Sequence, residues 1–198
     1  MAKNKVKYNL KNAHYAMLTV DEEGTVSYAS PVALPGAVSI SLDANGEPEN
    51  FYADGVAYYV INNNMGYDGD LELAMIPEDF RVSALNETLD DKKVLIENAN
   101  TELNPFALLF EFDGDVKHIR HVLYNCSASR PGIEGKTNEE NREVQTETLS
   151  IKATPLASGV VKAKTGDSTD ATVYADWYKA VYMPSIAETG SGTDQAGV

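Results

Sequence analysis

The chain has 198 residues, 43% of them hydrophobic and 23% charged, with 30 acidic against 16 basic side chains and a formal net charge of -14. That length and composition predict one folded domain that can bury a core without metal or disulfide staples. The charge repels phosphate backbones and argues against ordinary nucleic-acid binding, and the single cysteine, Cys126, excludes an internal disulfide framework.

Residues 1–12 are polar and basic and read as an N-terminal arm. A single β domain is expected over residues 13–184. Tyr15 to Val20 has strand character, and Asp21-Glu22-Glu23-Gly24 turns the chain into Thr25-Val26-Ser27-Tyr28. From Ala37 the pattern alternates, with Val38, Ile40 and Leu42 on one face and Ser39 and Ser41 on the other. Asn45-Gly46 and Asp54-Gly55 are tight-turn pairs, the second lying between Phe51-Tyr52 and Val56 to Ile61.

Leu71, Leu73 and Met75 alternate with Glu72 and predict a half-buried strand. Pro77 then opens a short helix, Glu78 to about Asn86, where its missing N–H costs nothing and Glu78 and Asp79 complement the helix dipole. Phe80 and Ala84 form one apolar row, and Val82, Leu85 and Leu89 a second. A helix this short holds only when packed, so it is expected to flank a sheet.

Val94-Leu95-Ile96 is a short strand. Phe106 to Phe112 is the most apolar one, joined through Asp113-Gly114-Asp115 to a partner running from Lys117 to Tyr124. Residues 126–145 have no apolar periodicity, and a loop that long is either solvated or a contact surface. Thr148 to Thr154 alternates again, with Leu149, Ile151 and Ala153 facing the core. Val160 to Lys164 is a weaker strand, Trp177 and Tyr178 precede a last apolar patch at Ala180 to Met183, and residues 185–198 read as a flexible tail. No repeat and no second domain boundary stands out.

The search for chemistry finds no phosphate loop, dinucleotide fingerprint or zinc pattern. His118 and His121 are three apart, which on a strand sends them to opposite faces, and His14 stands alone. The triplets Asp68-Gly69-Asp70 and Asp113-Gly114-Asp115 lack the further carboxylates of a calcium loop and read as turns. Catalytic, metal and cofactor residues are therefore expected to be none, and the protein is expected not to be an enzyme. Cys126, among apolar neighbours, reads as a buried inert thiol. No secretory signal or membrane span is evident, which places synthesis in a cytoplasm and leaves the sequons at Asn86 and Asn125 without use. The outward strand positions (Ser39, Ser41, Glu72, Thr148, Ser150, Lys152) suit the polar face of a monomeric sandwich or the wall of a water-filled pore. The 11 tyrosines suit interfaces and strands alike.

Several stretches together resemble the major tail tube proteins of siphophages and prophages of Gram-positive bacteria. They are Leu71 to Arg81, Asn104 to Asp115, Arg120 to Cys126 with Ser129-Arg130-Pro131, and Thr146 to Ile151. The resemblance implies a mainly β, sandwich or barrel-like tail-tube fold with one short flanking helix, at about 78–87, and long loops. It implies hexameric rings joined edge to edge and stacked into a tube. The implied partners are further copies of itself, the tape measure protein, and the tail terminator and distal tail proteins, with DNA passing through the lumen without specific binding and no membrane. The location is then the virion tail, after assembly in the host cytoplasm. Candidate inter-subunit contacts are Asn45, Phe51, Tyr52, Arg130, Ile133, Glu139 and Arg142. The rival reading is a carbohydrate-binding or adhesive β-sandwich with Tyr52, Tyr58, Tyr59 and Trp177 as its sugar platform.

Overall fold

The computed structural model describes residues 3–137 and 143–185. Its first half runs β1 (Lys7–Val20), β2 (Val26–Tyr28), β3 (Val32–Ala33), β4 (Ala37–Asn45), β5 (Glu49–Ala53), β6 (Val56–Ile61) and β7 (Gly66–Leu73). Helix α1 (Glu78–Ser83) follows, then β8 (Thr88–Leu89), β9 (Leu95–Ile96), β10 (Phe106–Gly114) and β11 (Ile119–Ala128). The last elements are β12 (Glu147–Thr154), β13 (Lys162–Lys164) and helix α2 (Ala171–Asp176). The fold is mainly β, as expected.

The main sheet has the order β2-β1-β10-β11-β12-β7-β4, with β13 beside β11 and β3 beside β1. All its ladders are antiparallel. The sheet curls until β4 comes back near β1, giving a barrel-like body. Strand β10 is buried on both faces because it lies at the centre of this sheet between two apolar clusters. Phe106, Leu108 and Phe110 point into the barrel interior with Leu71, Leu73, Leu149 and Ile151. Ala107 and Leu109 point to the other side, under Tyr124, Leu156 and Trp177. Each such large side chain contributes about 1.5–3 kcal/mol on burial.

Several sequence expectations shift. The arm is shorter than residues 1–12, since β1 begins at Lys7 and pairs with the end of β10, Lys7 opposite Gly114. The chain turns after Leu73, which leaves Met75 72% exposed and sends Ile76 into the core instead. A register shift between Ala37 and Ser39 takes Val38 out of phase, so Ala37, Ile40 and Leu42 pack inward and Val38 is exposed. Strand β11 runs on to Ala128, so Cys126 belongs to the sheet and not to the long loop.

Helix α1 ends earlier than expected. Asn86 takes a left-handed φ of 56°, and Asn104 captures the last carbonyls, its Nδ2 donating to Ser83 O at 2.8 Å and its backbone N to Ala84 O at 2.9 Å. Phe80 meets Tyr15 and Phe106 edge to face, with centroids 5.0 and 5.3 Å apart. The helix thus flanks the sheet as expected, with Phe80 inserted into the core cluster. The second helix, α2, was not expected. Asp170 caps it by accepting from Thr172 N at 2.8 Å and Val173 N at 3.3 Å. It carries Trp177 and its neighbours over the second cluster.

Candidate functional site: an unsupported hairpin, a carboxylate face and a basic cleft

Among the described residues, strands β5 and β6 pair only with each other. The turn between them, Asp54-Gly55, has φ of 53° and 80°, the doubly positive geometry that matches strand twist in a two-residue hairpin. Its roots are tight: a Cβ on Gly46 would lie 2.5 Å from Asn63 O, and one on Gly66 would lie 1.8 Å from Ala153 O. Asn45 anchors the base, donating from Nδ2 to Asp68 Oδ2 at 2.6 Å, while its carbonyl accepts from Met65 N at 2.9 Å.

Beyond that base the hairpin is apolar on both faces and wet. Phe51 is 58% exposed, Tyr52 66%, Tyr58 71% and Tyr59 65%, and Val56, Val60 and Ile61 are exposed too. A lone two-stranded hairpin is marginal in water, and so many exposed apolar side chains on one are unusual for a monomer.

The outward face of β4, β7 and β12 has the opposite character. Register places side chains in three rows across it: Ser39, Glu72 and Thr148; Ser41, Asp70 and Ser150; Asp43, Asp68 and Lys152. Hydroxyls tie down the carboxylates. Ser39 Oγ donates to Glu72 Oε2 at 2.8 Å, Thr146 Oγ1 to Glu72 Oε1 at 2.6 Å, and Ser150 Oγ to Asp70 Oδ1 at 2.8 Å. The bonds from Thr146 and Ser39 hold the Glu72 carboxyl below its usual range, so it stays ionised. The nine positions hold four carboxylates and one ammonium.

Hairpin and carboxylate face belong to one unusual stretch. Between Lys11 and Arg81 there are twelve Asp and Glu residues and no Lys or Arg. The basic residues gather elsewhere, and two of them, Lys7 and Lys162, line a cleft of about 340 Å³ at the barrel wall. Lys7 Nζ sits 4.6 Å above the Phe112 ring and Lys162 Nζ 4.1 Å above Tyr67. His121 stacks on Phe110 at 5.1 Å with an interplanar angle of 3°, and Lys164 pairs across from it. Burial, then Lys164, Lys7 and Lys162, push the His121 imidazole down to about 4, so it is neutral at neutral pH. His118 lies apart, its Nδ1 2.6 Å from Asp113 Oδ1.

The expected contact residues divide. Phe51 and Tyr52 are on the exposed hairpin, and Ile133 is fully exposed on the loop after β11. Asn45 is spent on the hairpin base. Arg130 is paired with Glu97, Nη1 to Oε1 at 3.0 Å, with both side chains about half exposed. Glu139 and Arg142 lie outside the described residues, as do residues 186–198 of the expected tail. Trp177 leaves the proposed sugar platform altogether: it is 2% exposed, and its Nε1 donates to His121 O at 3.4 Å. Lys7, Lys162 and Tyr67 were not singled out in the sequence and His121 was weighed only as a metal ligand, although the long stretch without Lys or Arg signals a polarised charge distribution.

No protein-family model matches the chain, and no curated protein matches it. Among solved structures, a chain of the cryo-EM structure of the anti-feeding prophage baseplate, 6-fold symmetrised, is similar at a TM-score of 0.46 and 10% sequence identity. The match covers 85% of this chain and 99% of that one. A likeness this loose defines neither family nor function.

Proposed function

We propose that the protein is a non-enzymatic structural subunit that assembles with copies of itself, as one protomer of a phage tail tube. The observation that carries this reading is the β5–β6 hairpin: seven exposed apolar or aromatic side chains on a ladder with no partner strand among the described residues. Such a surface is completed by burial against another protein. In a tube of stacked rings, hexameric by the family resemblance, hairpins bridge copies and the open edges of the sheet join between neighbours. The carboxylate face of β4, β7 and β12 then lines the channel, where a surface rich in negative charge lets DNA pass without adhering. The tape measure protein would occupy that channel before DNA does, and tail terminator and distal tail proteins would close its ends. The subunit would be made in the host cytoplasm and end in the virion tail.

The test is assembly. Purified protein at high concentration should form rings or tubes in negative-stain images, and a variant with residues 47–64 replaced by a short glycine-serine linker should stay monomeric with its fold intact. Protein that stays monomeric at every concentration and salt would count against the reading, as would tubes formed without the hairpin.

A further inference from the structure

The basic cleft has no partner of its own. Among the described residues no carboxylate lies within ion-pair distance of Lys7, Lys162 or Lys164, although the chain as a whole is strongly acidic. The ammonium groups of Lys7 and Lys162 rest on aromatic faces instead, an arrangement that leaves N–H donors free. The lining between them is apolar and half-buried: Ile40, Leu42, Tyr67 and Phe112. A cleft of about 340 Å³ with a few convergent polar groups is of a size that holds one or two side chains. It suits a ligand that is both aromatic and anionic.

One surface of this molecule has that chemistry. The hairpin region carries Glu47, Glu49 and Asp54 beside Phe51, Tyr52, Tyr58 and Tyr59, with no basic residue. Its six-residue strand β6 reaches about 20 Å from the root.

We infer that the basic cleft of Lys7, Lys162 and His121 is the receptor for the β5–β6 hairpin of a second copy, seating its aromatic side chains and pairing its carboxylates with the two lysines. The inference rests on the self-assembly reading and names the two surfaces that meet. Donor and receptor are different patches, so each copy gives one hairpin and receives another. Such heterologous contacts propagate into rings or open filaments instead of stopping at a dimer.

The experiment pairs charge reversals. Lys7→Glu with Lys162→Glu changes two exposed side chains and should leave the fold intact, checked by circular dichroism. Self-association measured by sedimentation should weaken by about a hundredfold, since like charges then face each other. Adding Glu47→Lys, Glu49→Lys and Asp54→Lys in the same chain should restore it. Zero-length carbodiimide coupling of a mixture of ¹⁵N and ¹⁴N protein should join Lys7 or Lys162 of one copy to Glu47, Glu49 or Asp54 of another. Association unchanged by the lysine reversals but lost on hairpin replacement overturns the cleft as receptor and leaves self-assembly standing. Cross-links found only within one chain also overturn the inference, by placing the hairpin in its own cleft. Wild-type protein that never associates overturns both readings.

Discussion

Arg120 Nε donates to Glu111 Oε2 across 2.9 Å, tying neighbouring strands β10 and β11 at the point where both side chains also reach the C-terminal segment. Glu111 is only 1% exposed and also accepts from Asn12 Nδ2 at 2.7 Å and Tyr178 Oη at 3.2 Å. Arg120 in turn donates to the Tyr174 carbonyl and lies 3.9 Å from the Tyr174 ring centroid. Helix α2 is too short to hold itself. It stays on the second apolar cluster because this network and the bond from Tyr124 Oη to Tyr182 O, 2.8 Å, fasten the segment at both ends.

Removing the cation alone should therefore be costly. Arg120→Met leaves a buried carboxylate without its partner and is expected to destabilise the fold by about 3–5 kcal/mol in urea unfolding. Glu111→Leu combined with Arg120→Met should cost less than Arg120→Met alone. A double variant more damaging than the single one would contradict the account.

The His121 imidazole predicts an acid-sensitive fold. Its folded value of about 4 lies below the ordinary 6.5, so the unfolded chain binds more protons between those values. Stability should be full above pH 6.5 and fall as pH drops towards 4, by roughly 3 kcal/mol from this group. His121→Phe keeps the stack on Phe110 and should flatten that part of the profile, measured as urea midpoint against pH. An unchanged slope in the variant would rule His121 out as the cause.

Cys126 is fully buried, and desolvation pushes its thiol up to about 12. It should not react with a thiol reagent at pH 8 in the folded protein and should react fully in denaturant. Its reaction rate then tracks opening of the β10–β11 ladder, in which Cys126 faces Phe106.

The carboxylate face should tolerate reversal of its sign. Asp70→Lys with Glu72→Lys alters side chains at the surface of the sheet and is expected to shift stability little. In assembled tubes the change should produce salt-dependent retention of DNA that wild-type tubes lack. Equal DNA retention by both forms would place this face elsewhere than the channel.

How much of this was legible in the sequence depends on what each residue faces. Strand β12 alternates between solvent and core throughout, so Leu149, Ile151 and Ala153 could be placed from period alone. The apolar run of β10 identified a central strand, because only a strand covered on both sides tolerates Phe106 to Phe110 in succession. Met75 and Val38 went wrong where the backbone departs from regular pleating, at a chain turn and at a register shift, which residue type does not encode. Helix α2 escaped notice because six residues give less than two turns of periodicity, and its burial comes mainly from Trp177 just beyond it. The hairpin was visible as strands and a turn, but its exposure was not, since apolar alternation reads the same whether the cover is a core or another molecule. The cleft needed Lys7, Tyr67, His121 and Lys162 to be brought together from four separate strands.

The hairpin is proposed as one half of a contact between copies. The most direct measurement is sedimentation velocity over a wide concentration range, on the wild-type protein and on a Phe51→Ser, Tyr52→Ser, Tyr58→Ser variant. All three side chains are exposed, so the variant should fold as the wild type does. The wild type is predicted to shift to larger species as concentration rises, and the variant to remain monomeric. Identical behaviour of the two proteins would contradict the account.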